Sequence, residues 1–439
     1  MTVEQGGMLR LEDALARVLD GVRPLPAETV AVEDAQGQVL AAPVMATTSL
    51  PPWDNSAMDG FAVRSADVAG ASHDSPVRLR VLGEVAAGHV PTCDVEPGTA
   101  VRITTGAMMP PGADTVVPVE DTDVPGGVST LPPSVAVRAP AARGAHVRHR
   151  GADVHRGDRV LDAGRLVGPA AIALAVASGA AQVVVHRRPR MAILATGDEL
   201  SPAGEPLLPG RIHDSNTPAL LAQARAAGAV AVSHGIVPDD PAALAQRFAV
   251  AVAASDVVVL SGGVSVGAHD HVRDAFRALG DLRLWRVAIQ PGMPLAFGRT
   301  TPSRAGARED ADRPVALFGL PGNPVSAFVT FELFVRPYVR VLLGHVDASF
   351  VAPDAHRRVV ARLAEAVTKA PGRRAFLRVR LVADSSAPGG LLATPTGDQG
   401  SHMLSGLAAA DGLAVIPEAV SGLPAGEPVE VLLLEGEGA

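Results

Sequence analysis

The sequence predicts a multidomain α/β and β protein, and three observations carry that prediction. A chain of 439 residues is too long for a single core. Strand-like and helix-like apolar runs alternate regularly across residues 187–345. On either side of that stretch the pattern switches to short strands broken by Pro and Gly.

Taken in order, Leu11, Leu15, Val18 and Leu19 form a helical stripe in place of an apolar signal core, and the expected compartment is the cytoplasm. The stretch from Ser72 to Arg138 is strand-rich, with Glu96-Pro97-Gly98 and Pro111-Gly112-Ala113 as turn signals. It reads as a β-rich domain inserted into a helical linker region. The run from Gly168 to Val185 is mostly alanine and contains Gly179; it reads as a buried helix followed by a strand, with no case for a membrane span.

In the alternating stretch, Met191–Thr196 is an apolar run bounded by Gly197. A helix is expected from Pro218 to Gly228, a strand ending near Val237, a helix over 240–254 and a buried strand at Asp256–Leu260. Leu282–Ile289, Val315–Leu320 and a long helix from Pro324 complete the series. Alternation of this kind argues for a central parallel sheet covered on both faces. Thr300–Arg313 is a polar insert that reads as a mobile surface loop. From residue 346 onward short alternating strands return, and a small β-barrel is expected.

Composition narrows the function. Hydrophobic residues make up 47% and charged residues 19%, which suits a globular chain. The net charge is −8, Lys369 is the only lysine, and no dense cationic run exists to displace counterions from nucleic acid. Cys93 is the only cysteine, so an internal disulfide and a cysteine-based zinc cluster are both excluded.

In an open parallel sheet ligands gather where strands end and loops turn into helices. Ser261-Gly262-Gly263-Val264-Ser265-Val266-Gly267 follows such a strand. Its glycines would let backbone N–H groups approach a phosphate, and an ordinary tight turn is the competing reading. Thr196-Gly197-Asp198-Glu199-Leu200 places carboxylates at another strand end, where they suit either a hard cation such as Mg²⁺ or a helix cap. Leu320-Pro321-Gly322-Asn323-Pro324 builds a sharp turn and a helix start, with or without ligand contact. Asp239 and Asp270 sit at further strand-to-helix junctions, as caps or ligands.

Two segments of the first half stand out. Pro51 to Val63 is a rigid Pro-Pro lead into a polar loop carrying Asn55, Ser56 and Asp59, and Val101 to Ala107 offers hydroxyl and backbone donors for an oxyanion. His146, His149 and His155 lie in an Arg-rich turn without supporting carboxylates apart from Asp153, which argues against a metal site, and His269 and His271 flank Asp270 and read as solvated. Cys93 reads as an inert thiol. Arg373 and Arg378 could reach a substrate phosphate or line the barrel surface.

Together these pieces resemble the molybdopterin molybdenumtransferases, the family that includes the C-terminal domain of gephyrin. The markers run in family order over nearly the whole chain: Pro51 to Gly60, Thr105 to Asp114, Thr196 to Leu200, Ser261 to Gly267, Pro291 to Gly298, Leu320 to Ser326, and Gly397 to Leu404. The resemblance implies a homodimer with composite active sites and subunits in four parts. These are a discontinuous linker region (1–28, 45–55 and 143–186), a β-rich inserted domain (29–44 and 56–142), a molybdopterin-binding α/β domain (187–345) and a C-terminal β-barrel (346–439).

It also implies the reaction, in which adenylylated molybdopterin and molybdate give molybdenum cofactor and AMP with Mg²⁺ required. Apo molybdoenzymes or earlier pathway enzymes would be partners; nucleic acid and membrane would not. Carried over by position, Asp59, Thr105, Glu199, Asp239 and Asp270 are the implied catalytic set, with Glu199, Asp239 and Asp270 as metal ligands. Asp153 matches another acidic family position. Ser261, Gly262, Gly263, Ser265, Gly267, Arg286, Pro291, Gly292, Gly322, Asn323 and Ser401 are the implied pterin-site residues, with His402 beside Ser401. The chain departs from many relatives at Gln290 and Met293, where they carry lysine, and this would weaken ground-state binding or change how molybdate is held. A scaffold or weakly active paralogue that binds molybdopterin, and a molybdopterin adenylyltransferase, are the competing functions.

Overall fold

The computed structural model describes residues 8–126, 130–263, 280–300, 313–345, 358–385 and 388–434. The chain forms two compact units, one of Met1–Glu28, Gly37–Ala41 and Val185–Ala439, the other of Thr29–Gln36 and Ala42–Val184.

The first unit is built on a six-stranded sheet in the order Val230–Val237, Arg190–Thr196, Val257–Ser261, Ala316–Leu320, Pro294–Thr300, Gly280–Arg286. The first four strands are mutually parallel, and Pro294–Thr300 runs antiparallel to both of its neighbours. All five residues of Val257–Ser261 are buried, because side chains that alternate between faces meet a core on each side. Met191, Ile193, Val257, Val259 and Phe318 join one core with Leu220, Ala224, Val325 and the N-terminal helix residues Leu11, Leu15 and Val18. Ala192, Leu194, Val258, Leu260 and Leu317 join the other, against Leu244, Phe248 and Ala251 of the helix Pro241–Ala254. Each large side chain so covered contributes about 1.5–3 kcal/mol. That helix starts sharply because Pro241 opens it and Asp240 accepts a hydrogen bond from the Ala243 N–H at 2.7 Å.

Two expectations need correction here. The run Leu282–Ile289 is not one strand: Gly280–Arg286 belongs to the central sheet, and Ile289–Gln290 pairs with Arg374–Ala375 of the C-terminal sheet. Pro294–Thr300 was not expected as a strand at all, since its opening Pro and internal Gly298 both depress a strand pattern. The expected long helix from Pro324 holds as a continuous helical run through Leu342, with a π-turn at Phe331–Val335.

The expected C-terminal barrel is present. Arg374–Ala383, Leu391–Pro395, Arg358–Leu363, Pro428–Leu433 and Gly412–Ile416 form a ring, and Gly412–Ile416 pairs back onto Arg374–Ala383 to close it. Its interior is filled by Ala361, Leu363, Val379, Ala414, Ile416 and Val431. The Thr300–Arg313 insert lies outside the described residues apart from its two ends.

The second unit carries a five-stranded sheet in the order Thr115–Pro118, Gly60–Val63, Thr99–Ile103, Val77–Val85, Ser134–Val137. Its faces bury separate clusters, one with Phe61 and Val117, the other with Ala62 and Val101. The helix Pro169–Ala177, expected to be buried, is buried only at Ala171 and Ala175, and Val176 is 56% exposed. A helix that is apolar all round conceals in its sequence which face turns inward. Among the described residues no helix is long and apolar enough to cross a membrane.

Candidate active site

At the carboxyl ends of the parallel strands lies a cleft of about 810 Å³. Each parallel strand delivers a piece of it. Arg190–Thr196 brings Thr196, Gly197 and Glu199; Val230–Val237 brings Asp239; Val257–Ser261 brings Ser261, Gly262 and Gly263; Ala316–Leu320 brings Pro321 to Pro324.

Gly262 has φ +95°, and a Cβ there would stand 2.6 Å from the Thr196 carbonyl oxygen. Only glycine passes so close to the neighbouring strand end, and its N–H donates to the Leu320 carbonyl at 3.1 Å on the other side. Asp239 is oriented by the Thr196 hydroxyl, which donates to Oδ1 at 2.5 Å, while the Asp239 N–H reaches Asp198 Oδ1 at 3.4 Å. Glu199 lines the same cleft with an exposed side chain.

Asn216 escaped the sequence reading. Its amide donates to Ser261 Oγ and to the Gly322 carbonyl, both at 2.7 Å, and so clips two of the loops together. The signal was there: Asp214 Oδ1 accepts from the N–H groups of Asn216 and Thr217 at 3.1 and 3.0 Å, a capping pattern announced by His213-Asp214-Ser215-Asn216.

The barrel supplies another wall. Asn323 Nδ2 donates to Ser401 Oγ at 2.9 Å and the Val325 N–H to the Ser401 carbonyl at 3.1 Å, which sets His402 and Leu404 along the cleft. Arg378 neither reaches into the cleft lining nor lies on the barrel surface. It is 1% exposed, and its guanidinium donates to the carbonyls of Asp398 at 2.7 Å and Gly400 at 3.1 Å. It is an internal strut for the segment that ends in Ser401. Arg373 lies in the turn ahead of strand Arg374–Ala383.

Not every expected residue converges. Arg286, Pro291, Gly292 and Ser401 are outside the cleft lining, and Gly292 packs against Thr330, whose hydroxyl a Cβ would meet at 2.5 Å. Pro294 represents that segment in the cleft, and Gln290 Oε1 is buried without a hydrogen-bond partner. Ser265, Gly267 and Asp270, with His269 and His271, lie outside the described residues.

In the second unit, Asp59 Oδ1 accepts from the Thr105 N–H at 2.6 Å and from its hydroxyl at 2.9 Å. These two bonds, with Arg102 nearby, hold the carboxyl below the usual carboxylate range. The loop before it is fixed by Ser56, whose hydroxyl donates to the Met58 carbonyl at 2.5 Å. Asp54 accepts from the Arg150 N–H at 2.7 Å and lies 3.3 Å from His149 Nδ1; that backbone bond, and then His149, hold its carboxyl low as well. His155 pairs separately with Asp158 at 3.7 Å, and Asp153 is exposed. Among the described residues no group of three or more His, Cys, Asp or Glu is arranged to hold a metal ion.

Residues 9–179 match the family description MoeA N-terminal region (domains I and II), residues 192–341 a probable molybdopterin binding domain, and residues 360–434 the MoeA C-terminal region (domain IV). Molybdopterin molybdenumtransferase 2 of Mycobacterium tuberculosis is 42% identical over 426 residues, covering 95% of this chain and 96% of the relative. The molybdopterin molybdenumtransferase of Staphylococcus aureus is 32% identical over 440 residues, covering 100% and 99%. A crystal structure of a molybdopterin biosynthesis MoeA protein from Pyrococcus horikoshii superposes with a TM-score of 0.79 at 34% identity, covering 98% of this chain and 100% of that one. With all three regions matched in order and full-length relatives on this scale, the chain belongs to the MoeA family of molybdopterin molybdenumtransferases.

Proposed function

We propose that the protein is a transferase of molybdenum-cofactor assembly that takes adenylylated molybdopterin and molybdate and yields molybdenum cofactor and AMP. The observation that carries the reading is the convergence, in one cleft at the strand ends, of glycine-lined backbone, hydroxyl groups and hard carboxylates. A substrate carrying a phosphoanhydride needs all three: close backbone approach, neutral donors and charge compensation.

The residues divide the work. Ser261 Oγ accepts from Asn216, so its own proton is free to donate to a phosphate oxygen. Ser401 Oγ stands in the same relation to Asn323, beside the same cleft. Gly262 and Gly263 let the substrate lie against backbone. Glu199 and Asp239, with Asp270 as third predicted ligand, would hold Mg²⁺. Two hard oxygen ligands fit this ion, which is ordinarily held by one or two carboxylates plus substrate phosphates rather than by a protein cage. When bound, Mg²⁺ would draw charge from the anhydride oxygens whose phosphorus–oxygen bond breaks as AMP leaves. Thr196 keeps Asp239 aimed by its hydrogen bond.

Asp59 and Thr105 complete the proposed catalytic set. We place them in a homodimer, where the Asp59 loop of one protomer completes the cleft of its partner. The same reading divides the chain into linker, β-rich, α/β and barrel parts, places the protein in the cytoplasm, and gives it apo molybdoenzymes as downstream partners.

The test is AMP release by purified protein given adenylylated molybdopterin and Mg²⁺, with and without molybdate. Molybdate-dependent release, with the product activating an apo molybdoenzyme, is expected. Tight binding without release would replace the enzyme by a carrier, and ATP consumption with free molybdopterin would replace it by an adenylyltransferase.

A further inference from the structure

The cleft has a charge problem that its donors do not solve. Among the described residues lining it, Glu199, Asp214 and Asp239 are acidic, and no lysine or arginine is present. Asp214 is committed to the N–H groups of Asn216 and Thr217. Glu199 and Asp239 are the carboxylates assigned to Mg²⁺ and offer the substrate's phosphate oxygens no donor of their own.

The amide donors are committed, which leaves the Ser261 and Ser401 hydroxyls as the free neutral ones. The two strong bonds of the Asn216 amide go to Ser261 Oγ and the Gly322 carbonyl, and the Asn323 amide is turned to Ser401 Oγ. The Gly262 N–H is used by Leu320. Among the described lining residues, the side chains able to carry positive charge are two imidazoles, His213 and His402, both exposed.

Their local geometry suits a ligand role. His213 lies on the short strand Ile212–His213, paired with Leu200–Ser201 directly after Glu199. Its Nδ1 sits 3.1 Å from the Pro202 carbonyl oxygen. A carbonyl cannot donate, so Nδ1 keeps its proton and Nε2 is the nitrogen left to turn toward a ligand. Protonated, that nitrogen becomes a charged donor aimed by a fixed ring. His402 follows Ser401, whose backbone and hydroxyl are both pinned to the Asn323–Val325 turn. The missing side chain at Gly400 makes room for the ring, since a Cβ there would stand 3.0 Å from His402 Cε1.

We propose that His213 and His402 recognise the phosphate of the adenylyl group, adding positive charge where the described lining has no lysine or arginine. The inference rests on the proposed function, because it takes the anion to be an adenylylated one. It assigns recognition to residues of two different walls, one from the α/β sheet and one from the barrel.

The test is calorimetric titration of AMP into the full chain with Mg²⁺ at fixed pH and low salt. The wild type should bind, and the H213Q/H402Q double variant should lose at least about tenfold in affinity. His213→Lys, placed in the H213Q/H402Q background at position 213, should restore binding, because charge rather than ring shape is what is required. Thermal unfolding of all variants should be unchanged, as both side chains are exposed. Undiminished binding by the double variant, or no recovery with lysine, would overturn the assignment while leaving the proposed function standing. A wild type that binds no AMP would overturn both.

Discussion

Thr105 gives Asp59 two hydrogen bonds to a single carboxylate oxygen, one from its N–H at 2.6 Å and one from its hydroxyl at 2.9 Å. The pair favours the ionised form and keeps Asp59 charged at acidic pH. Thr105→Val removes the second bond and leaves the shape. The Asp59 carboxyl should then titrate at higher pH, and the acid limb of the kcat/KM profile should move upward. An unchanged limb in a folded variant would show that Asp59 ionisation does not limit turnover. Asp59→Asn should lower kcat by about 100-fold or more if the carboxylate acts in the reaction.

Asp239 owes its orientation to a hydroxyl, which makes Thr196→Val the next informative change. The substitution keeps the volume and removes the donor. The Mg²⁺ concentration for half-maximal activity should rise by about tenfold, with a smaller effect at saturating metal. A metal titration that superposes on the wild type would remove Asp239 from the ligand set.

Gly262→Ala should be costly for two separate reasons. The residue sits at φ +95°, and the new methyl would meet backbone at 2.6 Å. We expect a loss of about 2–4 kcal/mol in denaturant unfolding, together with loss of substrate binding. Gly37→Ala separates the causes, because Gly37 has φ +74° with nothing within 4 Å. It should cost only about 1 kcal/mol. Equal costs at the two sites would mean that the close approach at Gly262 carries no weight.

His345 provides the pH dependence of stability. Burial, with help from Arg340, pushes its imidazole down to about 4 from an ordinary value of 6.5. In the window between those values the unfolded chain binds a proton that the folded chain refuses. Its contribution is therefore complete above pH 6.5 and is lost as pH falls toward 4. The melting temperature should drop across that window, and His345→Gln should flatten the drop. A variant with the wild-type slope would assign the acid sensitivity elsewhere.

What the sequence disclosed follows from where its signals were local. Val257–Ser261 and Met191–Thr196 are continuous apolar runs because both faces of the sheet are covered, and such runs end in glycine at the cleft. The loops with Glu199, Asp239, Ser261 and Asn323 were legible for that reason. Asn216 was signalled only as part of a local capping pattern and Arg378 only as a candidate phosphate contact; their real partners, 45 and 106 residues away in one case and 20 and 22 in the other, are tertiary facts. Pro294–Thr300 hid behind a proline and a glycine, and the split of Leu282–Ile289 between two sheets is a tertiary fact. The half-exposed face of Pro169–Ala177 is another, because a uniformly apolar helix gives no direction.

The hydrogen bonds around the cleft form a belt of separate ties: Asp239 to Thr196, Gly262 to Leu320, Asn216 to Ser261 and Gly322, Asn323 to Ser401. A belt anchored at every strand end has little slack. The entropy of ordering these loops is then spent when the chain folds, not when a ligand arrives. Affinity in the cleft is thereby coupled to the firmness of the sheet beneath it, and binding should persist in rising denaturant until the sheet itself unfolds.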